Sequence, residues 1–342
     1  MHQHAKKQEV IVKVYVDANG KPTATVTEGV NPTPQAAPVT PAAPPKPEAT
    51  RATPPQDNNQ GGSSSGGGSG YGFTYSPYNP DKSIKSSDQM KKDFDSLSGE
   101  GFKVVRLYGV DGDQTKLVLE QAKSHGMKLF ASVFNLKNLN GDLETLIKGV
   151  GGDWGSIDTV AIGNELVNNG LNSAGEVVAA IGTAKEKLKG AGWSSPVVVT
   201  TDTLVATVKH PELCNAASYC AVNCHPYFDG GVAAADSGKF IQTKMEELKS
   251  TLSNKEQRIV ITETGWPWKG EANKAAVASI ENQKSAIQSI KDAFKSSPGS
   301  VYLFNTFNTM WKENSPDQFE AEQFWGFLSG SGGSHGTAPS EA

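Results

Sequence analysis

Between residues 71 and 328 the chain repeats one rhythm. Short apolar runs at 72–75, 104–107, 128–133, 159–162, 197–200, 221–223, 259–262 and 301–304 alternate with amphipathic stretches such as 86–97, 114–125, 175–189, 239–252 and 275–296. Brief β-branched runs of this kind are the pattern of strands buried on both faces. Eight β–α units over about 260 residues have the size of a (β/α)8 TIM barrel, so the fold class is α/β. An open doubly wound sheet is the alternative. The first turn, Ser76-Pro77-Tyr78-Asn79, lacks a Gly-rich phosphate loop, and no G-x-x-x-x-G-K-[ST] occurs, which weighs against it.

The rhythm is absent before residue 71. Ten of the chain's 19 prolines lie in the first 70 residues, and Tyr15 is the sole aromatic there. Segment 31–55 is rich in Pro, Ala and Thr, and 60–70 is rich in Gly and Ser. Such compositions bury too little apolar surface to offset the entropy of ordering. The expected organisation is a disordered arm and linker at 1–70, a catalytic barrel at 71–330 and a flexible polar tail at 331–342. The alternation at 10–16, followed by Asp17-Ala18-Asn19-Gly20, allows a small hairpin; the expected form is an extended arm, because an isolated hairpin is marginal in water. Thr and Ser beside Pro in the arm suit O-glycosylation, which with the arm's composition points to a secreted, cell-wall or extracellular protein. Residues 1–7 have no apolar core of a secretory signal; either a leader has been removed or omitted, or the protein is intracellular, and the arm's composition favours a leader.

Net charge is −4 for 342 residues, with no basic patch, which argues against nucleic acid as a partner. No apolar run approaches the roughly 18 residues of a membrane span. A monomer is expected.

Two of the apolar runs stop at a glutamate: Val160-Ala161-Ile162-Gly163-Asn164-Glu165 and Ile259-Val260-Ile261-Thr262-Glu263-Thr264-Gly265-Trp266-Pro267-Trp268. In a barrel both lie at carboxyl ends of strands, where active sites form, and the fourth and seventh strands face each other across the mouth. A glycosidic bond is cleaved by such a pair, one carboxylic acid protonating the leaving oxygen and one carboxylate acting at the anomeric carbon or on water. The two must be held at different pKa values. Asn164 offers an amide to a sugar hydroxyl; Trp266 and Trp268 offer flat faces to pyranose rings. A salt-bridged rim position explains one such glutamate, but not two beside sugar-suited side chains.

The ordered motifs G-F-T-Y-S-P-Y, V-V-R-L-Y-G-V-D, V-A-I-G-N-E-L-V-N, A-V-N-C-H-P-Y-F, T-E-T-G-W-P and E-Q-F-W-G-F resemble glycoside hydrolase family 17, the β-1,3-glucanases, over about 72–328. Within it they are most similar to fungal cell-wall members with a Ser/Thr/Pro-rich arm. The resemblance implies a retaining hydrolase of β-1,3-glucan, with Glu165 as acid/base and Glu263 as nucleophile, carboxyl groups about 5–5.5 Å apart, and no metal or other cofactor. It places Tyr75, Arg106, Tyr108, Asn164, Asn223, Tyr227, Trp266, Phe304 and Trp311 along the glucan cleft. Tyr227 is expected to hydrogen-bond the nucleophile. Lys312 and Glu322 are expected to act behind the catalytic pair. His225 reads as a structural histidine, and Trp154 and Trp325 as core. The absence of a long insertion after any barrel strand favours endo action. Glucanosyl transfer by the same pair and a non-catalytic glucan-binding barrel are the alternatives.

Cysteines that such relatives often carry near 83–87 and at 112 are missing. Of the three present, Cys214 can pair with Cys220 or Cys224 only if the loop folds back, and one thiol is always left over; a free buried thiol is the expected state. The C-x5-C-x3-C spacing lacks a zinc C-x2-C core. No N-x-[ST] sequon occurs.

Overall fold

The computed structural model describes residues 70–328 and, as backbone alone, two strands nearer the start of the chain. The chain divides into two units, 1–61 and 62–342. In the first, Ile11–Val16 pairs antiparallel with Pro22–Glu28. This corrects the extended arm expected around 10–16: the alternating strand finds a ladder partner in the run P-T-A-T-V-T-E. The remainder of 1–69, and the tail expected at 331–342, lie outside the described residues.

The second unit is a closed parallel barrel of eight strands. These are β1 (Tyr71–Thr74), β2 (Phe102–Arg106), β3 (Lys128–Val133), β4 (Ile157–Asn164), β5 (Val198–Thr203), β6 (Cys220–Asn223), β7 (Ile259–Thr264) and β8 (Val301–Leu303), with β8 closing on β1. The helices are α1 (Ser87–Asp95), α2 (Gln114–Ser124), α3 (Leu139–Val150), α4 (Ala174–Gly190), α5 (Leu204–Lys209), α6 (Glu212–Asn215), α7 (Ser237–Thr251) and α8 (Ile280–Ala293). Their starts follow local chemistry. Ser86 with Gln89 and Ser173 with Glu176 form capping boxes that satisfy the first orphan N–H groups of α1 and α4. The helix expected from residue 275 begins only at Ile280, where Ser279 caps it; Asn273 and Ala276 form a small bridge instead.

Strand alternation divides the core in two. Outward residues such as Phe73, Val105, Leu129, Val160, Ile162 and Ile261 pack with the helices. Inward residues Val104, Phe130, Ala161, Val199, Ala221, Val260 and Tyr302 fill the barrel. At the carboxyl end this filling turns polar: Thr74, Arg106, Thr201, Asn223 and Thr262 are all buried there.

Cys214 and Cys220 are joined, with Cα atoms 4.4 Å apart, because α6 turns back onto the start of β6. Cys224 is the leftover buried thiol, and burial pushes it up to about 12.

Candidate active site

Both glutamate-bearing strands carry one residue too many. In β4 three steps, from Ala161 to Asn164, match two in β5, from Val199 to Thr201. In β7 two steps, from Ile261 to Glu263, match one in β6, from Val222 to Asn223. An extra residue breaks the two-residue alternation and re-aims the side chains beyond it. Asn164 and Glu263 thereby join the inward set. Gly163 takes up φ +84°, and Glu165 itself sits at φ +54°, a left-handed conformation that disfavours every residue except Gly and, less strongly, Asn or Asp. Two groups hold it there: the Glu165 N–H donates to Thr201 O at 2.8 Å, and Asp202 accepts from the N–H groups of Val167 and Asn168. After β7 the chain must pass close to β8. A Cβ at Gly265 would lie 1.8 Å from Phe304 O, so only glycine fits.

Arg106 organises the mouth. Its buried guanidinium donates through Nη1 to Glu263 Oε1 (2.8 Å), Thr262 O (2.9 Å) and Asn223 Oδ1 (3.1 Å). Through Nη2 it donates to Asn164 Oδ1 (2.8 Å) and Thr201 Oγ1 (3.0 Å). Asn223 then turns its amide outward, Nδ2 donating to Glu165 Oε1 at 2.9 Å. The two glutamates are thus joined through Asn223 and Arg106. On the other oxygen of Glu263, His225 Nε2 lies 3.3 Å from Oε2.

These surroundings drive the carboxyls apart. Burial alone raises Glu263, but the Arg106 charge and the His225 contact outweigh it and bring the group down to about 2. Glu165 is raised, by burial first and by the charge on Glu263 second, with the Asn223 hydrogen bond opposing. One carboxyl is poised to carry charge and the other to carry a proton, the division that acid-assisted attack at an acetal carbon requires.

Both face a cleft of about 760 Å³. Of the residues expected along it, Tyr108, Asn164, Phe304 and Trp311 line it, as do Lys312 and Glu322, paired at 2.7 Å. Trp311 is fixed by donating Nε1–H to Ser76 Oγ at 2.8 Å and packs 5.1 Å from Tyr78.

Other expectations are corrected. Tyr75 points outward between α1 and the barrel and donates to Asp93 Oδ2, because Thr74 takes the inward place. Arg106 and Asn223 lie beneath the cleft floor, holding carboxylates and not lining the cleft. Tyr227 does not reach Glu263: it is buried with Trp266, Trp325 and Phe319 and donates to Glu271 O. Trp266 is wholly buried in that cluster, its Nε1–H donating to Val277 O. Trp268 donates to Asn308 Oδ1 and does not line the cleft. Trp154, by contrast, packs partly buried against the core as expected, stacked 5.2 Å from Trp193.

The sequence reading missed His225 as a contact of Glu263 and Trp325 as cleft wall, along with the loop residues Tyr78, Phe134 and Phe228. Strand parity would have found the first. Residues 221 and 223 face inward, so 225 does too. Among the described residues no group of three or more His, Cys, Asp or Glu is arranged to hold a metal ion, and no helix is long and apolar enough to cross a membrane.

A (β/α)8 barrel with an unequal carboxyl pair at its mouth has the architecture of a glycosidase. The model of the BtgE/BtgC glycoside hydrolase domain matches residues 72–326, and the chain belongs to that family. It is 42% identical over 260 residues to Probable family 17 glucosidase SCW10 of Saccharomyces cerevisiae, covering 75% of this chain and 64% of the relative. It is 40% identical over 264 residues to Cell surface mannoprotein MP65 of Candida albicans, covering 77% and 67%. The chain therefore spans about two thirds of the length of these relatives. The fold is similar to the crystal structure of the glycoside hydrolase family 17 β-1,3-glucanosyltransferase of Rhizomucor miehei: TM-score 0.63, 22% identity, 78% of this chain and 96% of that one. An active-site mutant of that enzyme has been solved in complex with laminaritriose.

Proposed function

We propose that this chain is a retaining β-1,3-glucan hydrolase of endo action, working on wall glucan outside the cell. The unequal protonation of Glu165 and Glu263 carries the reading. Glu263, ionised and aligned by Arg106, attacks the anomeric carbon while Glu165 gives its proton to the departing glucosyl oxygen. Glu165, now a carboxylate, takes a proton from water as the water oxygen attacks the same carbon; the bond to Glu263 breaks and its electron pair returns to that carboxylate. Asn164 lines the cleft and supplies an amide for a sugar hydroxyl. The names of SCW10, MP65 and the Rhizomucor enzyme support the substrate class and the surface location. Transfer to a second sugar in place of water is the other reading, favoured by the exposed aromatic surface in the cleft.

A product time course on laminari-oligosaccharides of defined length tests this. Wild type is expected to give shorter products with retained configuration by NMR. Glu263→Gln is expected to lower the rate by at least about 10⁴-fold, the scale of losing a covalent nucleophile. Wild type that binds the oligosaccharide without cleaving it sinks the catalytic reading in favour of a binding barrel.

A further inference from the structure

Two of the six large apolar side chains left exposed among the described residues line the cleft: Phe134, 49% exposed, and Phe228, 40% exposed. They stand on different sides of the carboxyl pair. Phe228 packs against His225 at 5.9 Å, and His225 touches Glu263. Its ring also meets Tyr227, Phe319 and Trp325, so it is part of the aromatic wall. Phe134 lies directly after β3. Its carbonyl accepts from the Asn164 N–H at 3.1 Å, which sets it beside the strand end that carries Glu165. Among the described residues no aromatic ring packs against it. An apolar ring half in water within a cleft that is polar at its floor gains by being covered, and a pyranose presents an apolar C–H face of matching width.

We propose that Phe134 is the platform on which the sugar on the Glu165 side stacks, and that it sets how the glycosyl-enzyme divides between water and a second glucan chain. This rests on the glycosidase reading above. The leaving oxygen that Glu165 protonates belongs to the sugar on that side, and after its departure the same place receives the acceptor. A glucan stacked there presents a hydroxyl to the Glu165 carboxylate. The proton moves to Glu165, the hydroxyl oxygen bonds the anomeric carbon, and the bond to Glu263 breaks with its electron pair returning to Glu263. An empty platform leaves the place to water. Asn135, just after Phe134, and Thr145, within α3, line the cleft as well.

The test tracks products longer and shorter than laminaritriose over a range of its concentrations, for wild type, Phe134→Ala and Phe134→Trp. The ring is half in solvent, so its exchange leaves the barrel core alone; melting curves of all three confirm that they are folded. In Phe134→Ala the ratio of longer to shorter products is expected to fall about tenfold, the scale of one stacking contact, while total cleavage falls less. Phe134→Trp is expected to keep or raise the ratio. An unchanged ratio in Phe134→Ala, or longer and shorter products falling in step, overturns the proposal, and so does a wild type that cleaves without ever making longer products; the hydrolase reading survives all three. A wild type that does not cleave laminaritriose or longer homologues overturns both.

Discussion

Glu263 and Glu165 are the same residue at the ends of two strands of one barrel, yet their surroundings differ in kind. Glu263 lies within its strand, buried, with a fixed charge on one oxygen and an imidazole on the other. Glu165 lies one residue past its strand, half-buried, with one neutral amide on its carboxyl. The same carboxyl is thus made an anion where a permanent cation has been buried beside it, and an acid where burial and the neighbouring Glu263 charge outweigh the Asn223 amide and the more distant His225.

Removing the cation should break this contrast most. Arg106→Met leaves Glu263 buried without its charge partner, and the Glu263 pKa should rise. The acid limb of the kcat/KM profile should move to higher pH, with kcat down by about 10²–10³-fold and unfolding free energy lower by about 3–5 kcal/mol. An acid limb that stays put would mean that His225, not Arg106, sets the anion.

Asn223→Ala probes the other end. Its hydrogen bond lowers Glu165, so its loss should raise that group further and carry the basic limb of the rate profile upward. About tenfold in kcat is expected to go with it, the scale of a hydrogen bond to a charged or reacting group. A limb that moves down would overturn the assignment of Glu165 as the acid.

The smallest effect sharpens the comparison by sign. Glu263, depressed to about 2 from an ordinary 4.5, contributes stability that is present above about pH 4.5 and lost as pH falls toward 2. Glu165, raised, contributes stability that is present at low pH and lost as pH rises through its folded value. Urea midpoints of Glu263→Gln and Glu165→Gln should therefore depart from wild type with opposite slopes, the first between about pH 2 and 4.5 and the second above pH 4.5.

The barrel was legible because eight apolar runs leave little other choice, and the two glutamates because each ends such a run. Which face a side chain takes was less legible. Tyr75 sits one residue past inward Thr74, so alternation alone puts it outside. Arg106, two past inward Val104, points in but is wholly buried among polar residues, where it holds a carboxylate. Glu263 violates alternation, and only the register against β6 explains why it still faces the cleft. Tyr227 and Trp266 lie on irregular backbone beyond the strands, where no period applies, and the aromatic cluster claims them. Phe228 escaped notice for the same reason, whereas Phe134, one residue past β3 and in parity with inward Phe130, could have been found as His225 could.

Glu165 holds a backbone conformation that suits glycine, at a cost on the order of 1 kcal/mol. Selection for durability and selection for chemistry therefore pull this position in opposite directions. A library of this barrel sorted by heat resistance alone would drift toward glycine at residue 165 and return sturdier, inert proteins. On the acid/base reading proposed above, the strain at residue 165 is what the chemistry costs the fold.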